Sequence, residues 1–311
     1  MCAAPMAGVI ERASVHSDVR RFRDESFAVT RCPSCKGISA VQEVDLAYYY
    51  AAYPFHRFRT DSKSEGQKTE SFEGDWMLRV MQRNLVSRLR AAGLAPEASI
   101  LDYGCGGGGL LDALRAAGFA NVAGFDDFVP AFADRSVLDK RYDCVVCQDV
   151  LEHVADPSSL MQQLHGLLRP SGLLSIGTPD ASAIDLSTPE RFKHPLHQPY
   201  HRHILASDFL LLLAERFAMQ VVRFYPSMYA NTAVPFVNSR FVQHYFRCFD
   251  DTVDAGLDPI PGHPFQRQRL LDGVVVPVNP WLLWSPLTLF YGLFGALFAP
   301  RTDIQVVFRA S

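Results

Sequence analysis

The chain has 311 residues, enough for one large α/β domain with additions or for two small domains. Apolar residues make up 48% of it, so a full core can form, and a formal net charge of −3 makes nucleic acid a poor partner. Seven scattered cysteines favour a reducing compartment over a disulfide-stapled fold, and the first residues lack the pattern of a signal peptide. These features predict a cytoplasmic protein.

Residues 1–74 are predicted to be an N-terminal extension, poorly packed up to about residue 30 and polar at 61–74. Within it, Cys32 and Cys35 have the spacing of half a zinc site. A closed site needs two more ligands, for which the nearby candidates are Cys2, His16 and His56. A tight turn without metal is the simpler interpretation.

The core, residues 75–228, is predicted to begin with an amphipathic helix over 75–92. A glycine-rich unit over 100–126 follows it. A short apolar strand ends on Asp102, five glycines follow within seven residues, and a helix covers 110–117. A second strand, 122–125, ends on the paired acids Asp126 and Asp127. This order of elements is typical of the nucleotide-binding half of a doubly wound fold.

Two ligands suit the glycine loop. Gly104, Gly106 and Gly109 satisfy G-x-G-x-x-G, the dinucleotide pattern. Asp102, with Gly104, Gly106 and Gly108, instead gives D-x-G-x-G-x-G, which resembles the first motif of class I S-adenosylmethionine (SAM)-dependent methyltransferases. Asp102 favours this second interpretation, because a carboxylate at the end of the first strand attracts a cationic amino-acid ligand and repels a pyrophosphate.

The third repeat of the fold is compressed. Only residues 127–141 separate the second strand from the next apolar run, which leaves room for one short helix over 128–136 and a strand stub at 137–139. In methyltransferases this region supplies the acid that holds the adenine amino group. Asp134 and Asp139 are the candidates here.

Residues 142–150 predict a buried strand in which Cys144 and Cys147 point to opposite faces. A helix over 158–168 and a strand over 173–177 complete the block. With its LEHV sequence, this block resembles class I methyltransferases, especially ubiquinone-biosynthesis O-methyltransferases and glycan-modifying relatives.

The resemblance covers residues 99–227 and implies a Rossmann-like, doubly wound α/β fold. Its sheet would have seven mostly parallel strands with an antiparallel last strand. It also implies a SAM site. The methionine end of SAM would bind at the first strand and its loop, at Asp102, Gly104, Cys105, Gly106 and Gly108. The ribose would bind at Asp126 and Asp127 after the second strand, and Gln148 and Asp149 would lie beside the cofactor cleft at the end of the fourth strand.

Four histidines lie within ten residues after the fifth strand, at positions 194, 197, 201 and 203. Related methyltransferases commonly place a histidine on this loop, where a neutral imidazole can deprotonate the attacking hydroxyl. The expected bases are His201 or His203, followed by His153. No metal is predicted at the cluster, because it has no clear carboxylate partner and methyl transfer needs none.

A helix over 208–216 and strands over 219–225 and 303–309 complete the predicted sheet, with the last strand antiparallel between the fifth and sixth. Residues 229–300 then form an insertion, and residues 301–311 return to the core. Within the insertion, residues 280–300 are uncharged and rich in aromatic side chains. Proline interrupts them, which favours peripheral contact with the inner face of a membrane, or a lid for a lipid-like acceptor, over a span. Core packing or a dimer contact is the alternative.

The sequence therefore predicts a SAM-dependent methyltransferase that acts on oxygen by direct transfer. Its acceptor would be a glycan, a lipid-linked intermediate or a small phenolic or quinone-like molecule. The alternatives are a catalytically inactive SAM-binding module and an NAD-dependent oxidoreductase. The oligomeric state is not predicted.

Overall fold

The computed structural model describes residues 10–53, 76–248, 251–256, 268–270, 274–276, 285–298 and 301–311. The polar loop predicted at 61–74 lies outside these ranges. In chain order the strands are β1 (Glu11–His16), β2 (Ser26–Arg31), β3 (Ile38–Ala40), β4 (Ile100–Tyr103), β5 (Val122–Phe125), β6 (Tyr142–Gln148), β7 (Leu168–Pro179), β8 (His203–Ile204), β9 (Met219–Tyr225), β10 (Gln268–Leu270), β11 (Val274–Val276) and β12 (Asp303–Ala310). The α-helices are α1 (Leu46–Tyr50), α2 (Trp76–Ala91), α3 (Gly109–Ala116), α4 (Pro157–Gly166), α5 (Lys193–Leu196), α6 (Ser207–Arg216), α7 (Ser239–Arg247) and α8 (Pro286–Phe294).

The main sheet has the strand order β5-β4-β6-β7-β12-β9. The first four strands are parallel, and β12 runs antiparallel between β7 and β9, which confirms the predicted place of the last strand. The predicted count of seven strands is wrong for the described residues, where this sheet has six. The stub expected at 137–139 falls in a 3-10 helix, Arg135–Asp139, because the compressed repeat is too short for a strand and its crossover.

Helices cover both faces of the main sheet. On one face, α2 and α3 pack their leucines against Ile100, Cys144 and Val307. On the other, α4 and α6 pack against Leu101, Cys147 and Phe308. The two cysteines of β6 thus point to opposite faces, as their spacing predicts, and both are fully buried.

A second sheet of four antiparallel strands, β1-β2-β3-β8, takes three of its strands from the N-terminal extension. The prediction of a poorly packed lead-in is therefore wrong for residues 11–31. Arg31 joins this sheet to the core, because its guanidinium donates to the carbonyl of Ala181 at 2.8 Å and to that of Ile184. Strand β8 begins at His203, the last of the four clustered histidines, so the extension packs directly against the segment that carries the predicted bases.

Within the insertion, α8 and the turn after it pack against the segment that leads into α7. Gly292 and Gly295 pack so closely against Phe236 and Asn238 that a Cβ at either glycine would collide. Along α8 and the 3-10 helix that follows it, seven large apolar side chains are exposed, namely Leu287, Leu289, Phe290, Leu293, Phe294, Leu297 and Phe298. No helix in the described ranges is long and apolar enough to cross a membrane. Contact of this face with a lipid surface stays a prediction.

Candidate active site

A cavity of about 480 Å³ opens at the carboxyl ends of β4 and β6. One end is formed by the glycine loop between β4 and α3, and the other by the histidine loop between α5 and β8. Ligands of open α/β sheets bind at this edge, where the chain order of the strands reverses. The two features that the sequence singles out independently, the glycine loop and the histidine cluster, therefore face one another across a single cavity.

The glycine loop uses its glycines for different purposes. Gly104, Gly106 and Gly108 have φ values of +79°, +51° and +82°, which side chains with a Cβ rarely adopt. A Cβ on Gly104 would collide with the side chain of Val150, so this glycine lets the loop pack on the segment after β6. A Cβ on Gly106 would meet no atom within 4 Å, and Gly106 lines the cavity. Its bare backbone is left open to a ligand.

Three carboxyl groups line the cavity. Burial, and then the neighbouring Asp126, raise the pKa of Asp102 to about 7. Asp149 opens onto the cavity with φ +54°, and the surrounding protein, followed by Asp303, raises its pKa to about 7. Burial raises the pKa of Asp303 to about 6. A bound cation would stabilise the ionised form of these carboxyl groups.

Asp126 lies behind the glycine loop rather than in the cavity wall. Its carboxylate accepts the backbone N–H groups of Gly106 at 3.0 Å and Phe128 at 2.9 Å, so it fixes the loop. Each oxygen keeps a second acceptor position, so the predicted ribose contact stays a prediction. Asp127 pairs at the surface with Arg135 at 2.6 Å.

The two acids expected near the adenine lie outside the cavity wall. Asp134 accepts the N–H and hydroxyl of Ser136, and neither it nor Asp139 lines the cavity. Cys105 does line it, and burial, followed by Asp102 and Asp126, raises the pKa of its thiol, which stays neutral.

Two glutamine side chains have buried oxygens that face no donor. In the described part of the chain, Oε1 of Gln82 and Oε1 of Gln148 make no hydrogen bond, and both residues line the cavity. Such atoms normally have a partner, although both oxygens are buried and Oε1 of Gln148 lies against Gly177 of β7. The sequence predicts Gln148 but misses Gln82, Tyr229, Thr302 and Asp303. These reach the cavity from α2, from the residues after β9 and from the start of β12, which only the tertiary fold brings there.

The structure separates the three predicted bases. His201 and His153 line the cavity, whereas His203 does not. The His203 ring lies between the hydroxyl of Ser39 at 3.2 Å and the carbonyl of Ala155 at 3.1 Å. Both ring nitrogens are therefore engaged in tying β8 to its surroundings, and the expectation that His203 is a base is corrected.

His201 is buried and held in one tautomer. Its Nδ1–H donates to the carbonyl of Pro195 at 2.9 Å, which leaves the lone pair on Nε2. Burial, and then the nearby His153 and His197, hold the pKa of His201 well below its usual value. Its imidazole is therefore neutral at pH 7.

Glu152 is fully buried beside His201, with its Oε1 3.8 Å from Nε2 and its Oε2 accepting the hydroxyl of Thr178. Polar atoms of Glu152, His153 and His201 lie within 4.8 Å of one another, and side chains of these types could hold a divalent cation. Burial, followed by Asp149, raises the pKa of Glu152 well above its usual value. Glu152 is thus a carboxyl group beside the histidines that the sequence did not indicate, and the prediction that no metal binds here stays a prediction.

The zinc prediction concerns the turn between β2 and β3. There the N–H of Lys36 donates to the carbonyl of Cys32 at 3.0 Å. His16 hydrogen-bonds Glu190 instead, and Cys2 and His56 lie outside the described residues. Within the described ranges no third ligand-type side chain joins Cys32 and Cys35.

Residues 76–228 match the sequence profile of a methyltransferase domain family. The chain is 34% identical to a ubiquinone biosynthesis O-methyltransferase of Actinobacillus pleuropneumoniae, over 25% of this chain and 44% of that protein. It is also 34% identical to the protein of that name from Aromatoleum aromaticum, over 29% of this chain and 47% of that protein. The chain thus spans less than half the length of these curated relatives.

The solved structures to which the chain is similar are more distant. A SAM-dependent methyltransferase from Mesorhizobium loti is 17% identical with a TM-score of 0.41, over 73% of this chain and 97% of that one. A magnesium protoporphyrin IX methyltransferase from Synechocystis is 18% identical with a TM-score of 0.39, over 58% of this chain and 88% of that one. Likeness at this level adds nothing to the assignment.

Proposed function

We propose that this chain, whose residues 76–228 form a class I SAM-dependent methyltransferase domain, transfers a methyl group from SAM to an oxygen nucleophile. The observation that carries the proposal is the single cavity that joins an acidic, glycine-lined end to a histidine-lined end. SAM is a cation with an amino-acid tail and two ribose hydroxyls. The raised pKa values of Asp102 and Asp149 and the open backbone at Gly106 fit such a molecule.

SAM supplies an electrophilic methyl group on a positively charged sulfur. In this proposal Asp102 and the glycine loop hold the amino-acid end, and Asp149 and Gln148 border the sulfonium. The histidine end binds the acceptor and takes its hydroxyl proton. Alignment of the two reactants and exclusion of water then supply most of the rate acceleration.

A phenolic acceptor suits the histidine end best. The rings of Tyr53, His153 and His197 line that end, and a planar aromatic molecule can stack on such rings. The relatives described as ubiquinone biosynthesis O-methyltransferases favour the same chemical class. A glycan hydroxyl is the second candidate. An NAD-dependent oxidoreductase is disfavoured, because Asp102 would face a pyrophosphate.

Turnover tests the proposal. The protein is incubated with SAM that carries a deuterated methyl group, together with catechol-type phenols and with oligosaccharides. We expect S-adenosylhomocysteine (SAH) and a labelled methyl ether on a phenol in equal amounts, measured by mass spectrometry. SAM binding without SAH formation with any acceptor would instead indicate an inactive binding module, and absence of binding would contradict the proposal.

A further inference from the structure

A buried row of charged side chains leads from the protein surface to the cavity. Lys193 Nζ lies 2.8 Å from Asp251 Oδ2, and Asp251 Oδ1 lies 3.0 Å from His194 Nε2. On the other side of that ring, His194 Nδ1 lies 3.2 Å from Asp18 Oδ2. Asp18 Oδ1 is in turn 2.7 Å from Nδ1 of His197. His197 is 5% exposed and lines the cavity.

The charges in this row alternate. Burial alone would raise the pKa of the fully buried Asp18, but the charges and hydrogen bonds of His197 and His194 outweigh it and hold that pKa well below its usual range. Burial alone would likewise lower the pKa of His194, but its hydrogen bonds to Asp18 and Asp251 raise it. Asp18 is therefore a carboxylate, which His197 and then His194 keep ionised.

The carboxylate fixes the state of the His197 ring. Asp18 can only accept at Oδ1, so Nδ1 of His197 carries the proton and the lone pair lies on Nε2. A proton that arrives at Nε2 creates an imidazolium directly beside a buried anion, which stabilises it. This is the arrangement by which a carboxylate orients an imidazole and supports its action as a base.

The loop around His197 is held rigidly. Its backbone has φ +38°, which residues other than glycine seldom adopt, and its N–H donates to the carbonyl of Lys193 at 2.7 Å. The carboxamide of Gln198 donates to the carbonyls of Leu196 at 2.9 Å and His201 at 2.7 Å. The ring of Tyr200 stacks on the imidazole with a centroid distance of 4.9 Å. The imidazole is thus positioned before any acceptor binds.

We propose that His197, oriented by Asp18, is the general base that removes the hydroxyl proton of the acceptor. This inference rests on the proposed methyl transfer. As the acceptor oxygen bonds to the methyl carbon, the carbon–sulfur bond breaks and its electron pair goes to sulfur, giving SAH. The hydroxyl proton passes to Nε2 of His197 and leaves to solvent after the product dissociates. The positive charge lost by the sulfonium thereby reappears on an imidazolium that Asp18 stabilises.

His201, the base predicted from the sequence, is less suited to this role. Its Nδ1 donates to a neutral carbonyl, that of Pro195, rather than to a carboxylate. Burial and then Asp149 raise the pKa of Glu152, the acid nearest its Nε2, well above the usual value, so Glu152 supports an imidazolium less readily. The ionisable groups in contact with the His197 ring itself are Asp18, His201, Tyr53 and Tyr200, and His194 lies on the far side of Asp18. Asp18 is the group among them that adds negative charge at neutral pH.

The proposal gives the N-terminal extension a part in catalysis. Asp18 lies outside residues 76–228, between β1 and β2. The adjacent Ser17 donates its hydroxyl to the carbonyl of Gln198 at 2.8 Å, and the carbonyl of Asp18 accepts the N–H of Val253. The extension and the insertion therefore meet at the residue that orients the base.

The test compares His197→Gln and Asp18→Asn with His201→Gln as the matched control. SAM binding by the wild-type protein and by each variant is measured first by calorimetry, which separates a failure of the proposed function from a failure of this inference and shows that each variant is folded. Single-turnover methylation is then followed with the phenol that the wild-type protein methylates. We expect His197→Gln to lower the rate about 100-fold or more with SAM affinity within about threefold, and His201→Gln to cost less than about tenfold.

Two further readouts distinguish a base from a structural residue. Asp18→Asn should change the pH profile of kcat/KM, because it removes the carboxylate that contacts Nδ1 of His197. In 15N-histidine NMR, a strongly downfield Nδ1–H signal should be present in the wild-type protein and absent from both the Asp18→Asn and His197→Gln variants. A His197→Gln variant that binds SAM and keeps its rate within about threefold would overturn the proposal, as would an unchanged pH profile in Asp18→Asn.

Discussion

Asp102→Asn is expected to weaken SAM binding about 100-fold and, at the same time, to raise the melting temperature of the ligand-free protein at pH 8. The carboxyl group is buried at the end of β4, where burial and Asp126 raise its pKa to about 7. A bound ammonium group gains a charge-assisted hydrogen bond of about 1.5–3 kcal/mol from the ionised form, which the amide cannot supply. Without ligand, the buried ionised carboxylate destabilises the folded protein at pH 8, and the neutral amide avoids this cost.

The pH dependence has a definite sign. The pKa of Asp102 is about 7 in the folded protein, against 3.8 for an unperturbed aspartate, so the folded state binds this proton more tightly than the unfolded chain does. Its contribution to stability is therefore fully present below about pH 4 and is lost as the pH rises through 7. Binding of a cation favours the ionised form, so SAM affinity should fall as the pH decreases from about 7.5 to about 5.5.

Calorimetry and thermal unfolding at several pH values test both effects. Asp102→Asn should show a shallower dependence of SAM affinity on pH, with Asp149 and Asp303 supplying what remains. Asp112→Asn is the matched control, because Asp112 is an exposed acid of α3 that pairs with Arg115. Wild-type SAM affinity in Asp102→Asn, or a lower melting temperature at pH 8, would contradict this role.

Asp126→Ala is expected to weaken SAM binding by about 10- to 100-fold, whereas Asp127→Ala should change it by less than about threefold. Asp126 stands at the end of β5 and accepts the N–H of Gly106, so its loss removes both the predicted ribose contact and a support of the glycine loop. Asp127 is a surface residue paired with Arg135. Titration of each variant with SAM and SAH measures the difference.

The two contributions of Asp126 are separated with an SAH analogue that lacks both ribose hydroxyls. If Asp126 binds those hydroxyls, the wild-type protein discriminates between SAH and the analogue, and Asp126→Ala loses most of that discrimination. If the carboxylate only supports the loop, the variant binds both ligands more weakly by the same factor. That result would remove the ribose assignment while leaving the SAM site intact.

The core of the fold could be predicted because its elements carry local signals. Strand β5 and the glycine loop follow from apolar runs that end on acids or glycines, and the predicted bounds of β5 and β9 agree with the structure. The antiparallel position of β12 came from the resemblance to methyltransferases. No local pattern in residues 303–309 indicates which strands they lie between.

The N-terminal sheet was missed for the opposite reason. Strand β1 is mostly exposed and alternates only weakly, and β3 pairs with β8, about 165 residues farther along the chain. Asp18 was missed with it, since an acid in a charged segment normally lies on a solvated surface. Its carboxylate is informative only once the tertiary fold places it between two histidines.

The candidate site divides in the same way. The loop glycines and Asp102 were predicted because their types and spacing suit a cationic nucleotide-like ligand, and Asp149 was predicted from the resemblance to methyltransferases. The choice among the histidines could not be predicted, since four of them share one short loop. It depends on which ring faces the cavity and which ring nitrogen meets a carboxylate, and both are set by contacts with distant parts of the chain.

The measurement that tests the central claim most directly is calorimetric titration of the protein with SAM, SAH and NADH at pH 7.5. The cavity is predicted to bind SAM and SAH at one site per chain and not to bind NADH, because its acids favour a cationic amino-acid tail and disfavour a pyrophosphate. Binding of NADH in preference to SAM, or of neither adenosyl ligand, would contradict the account.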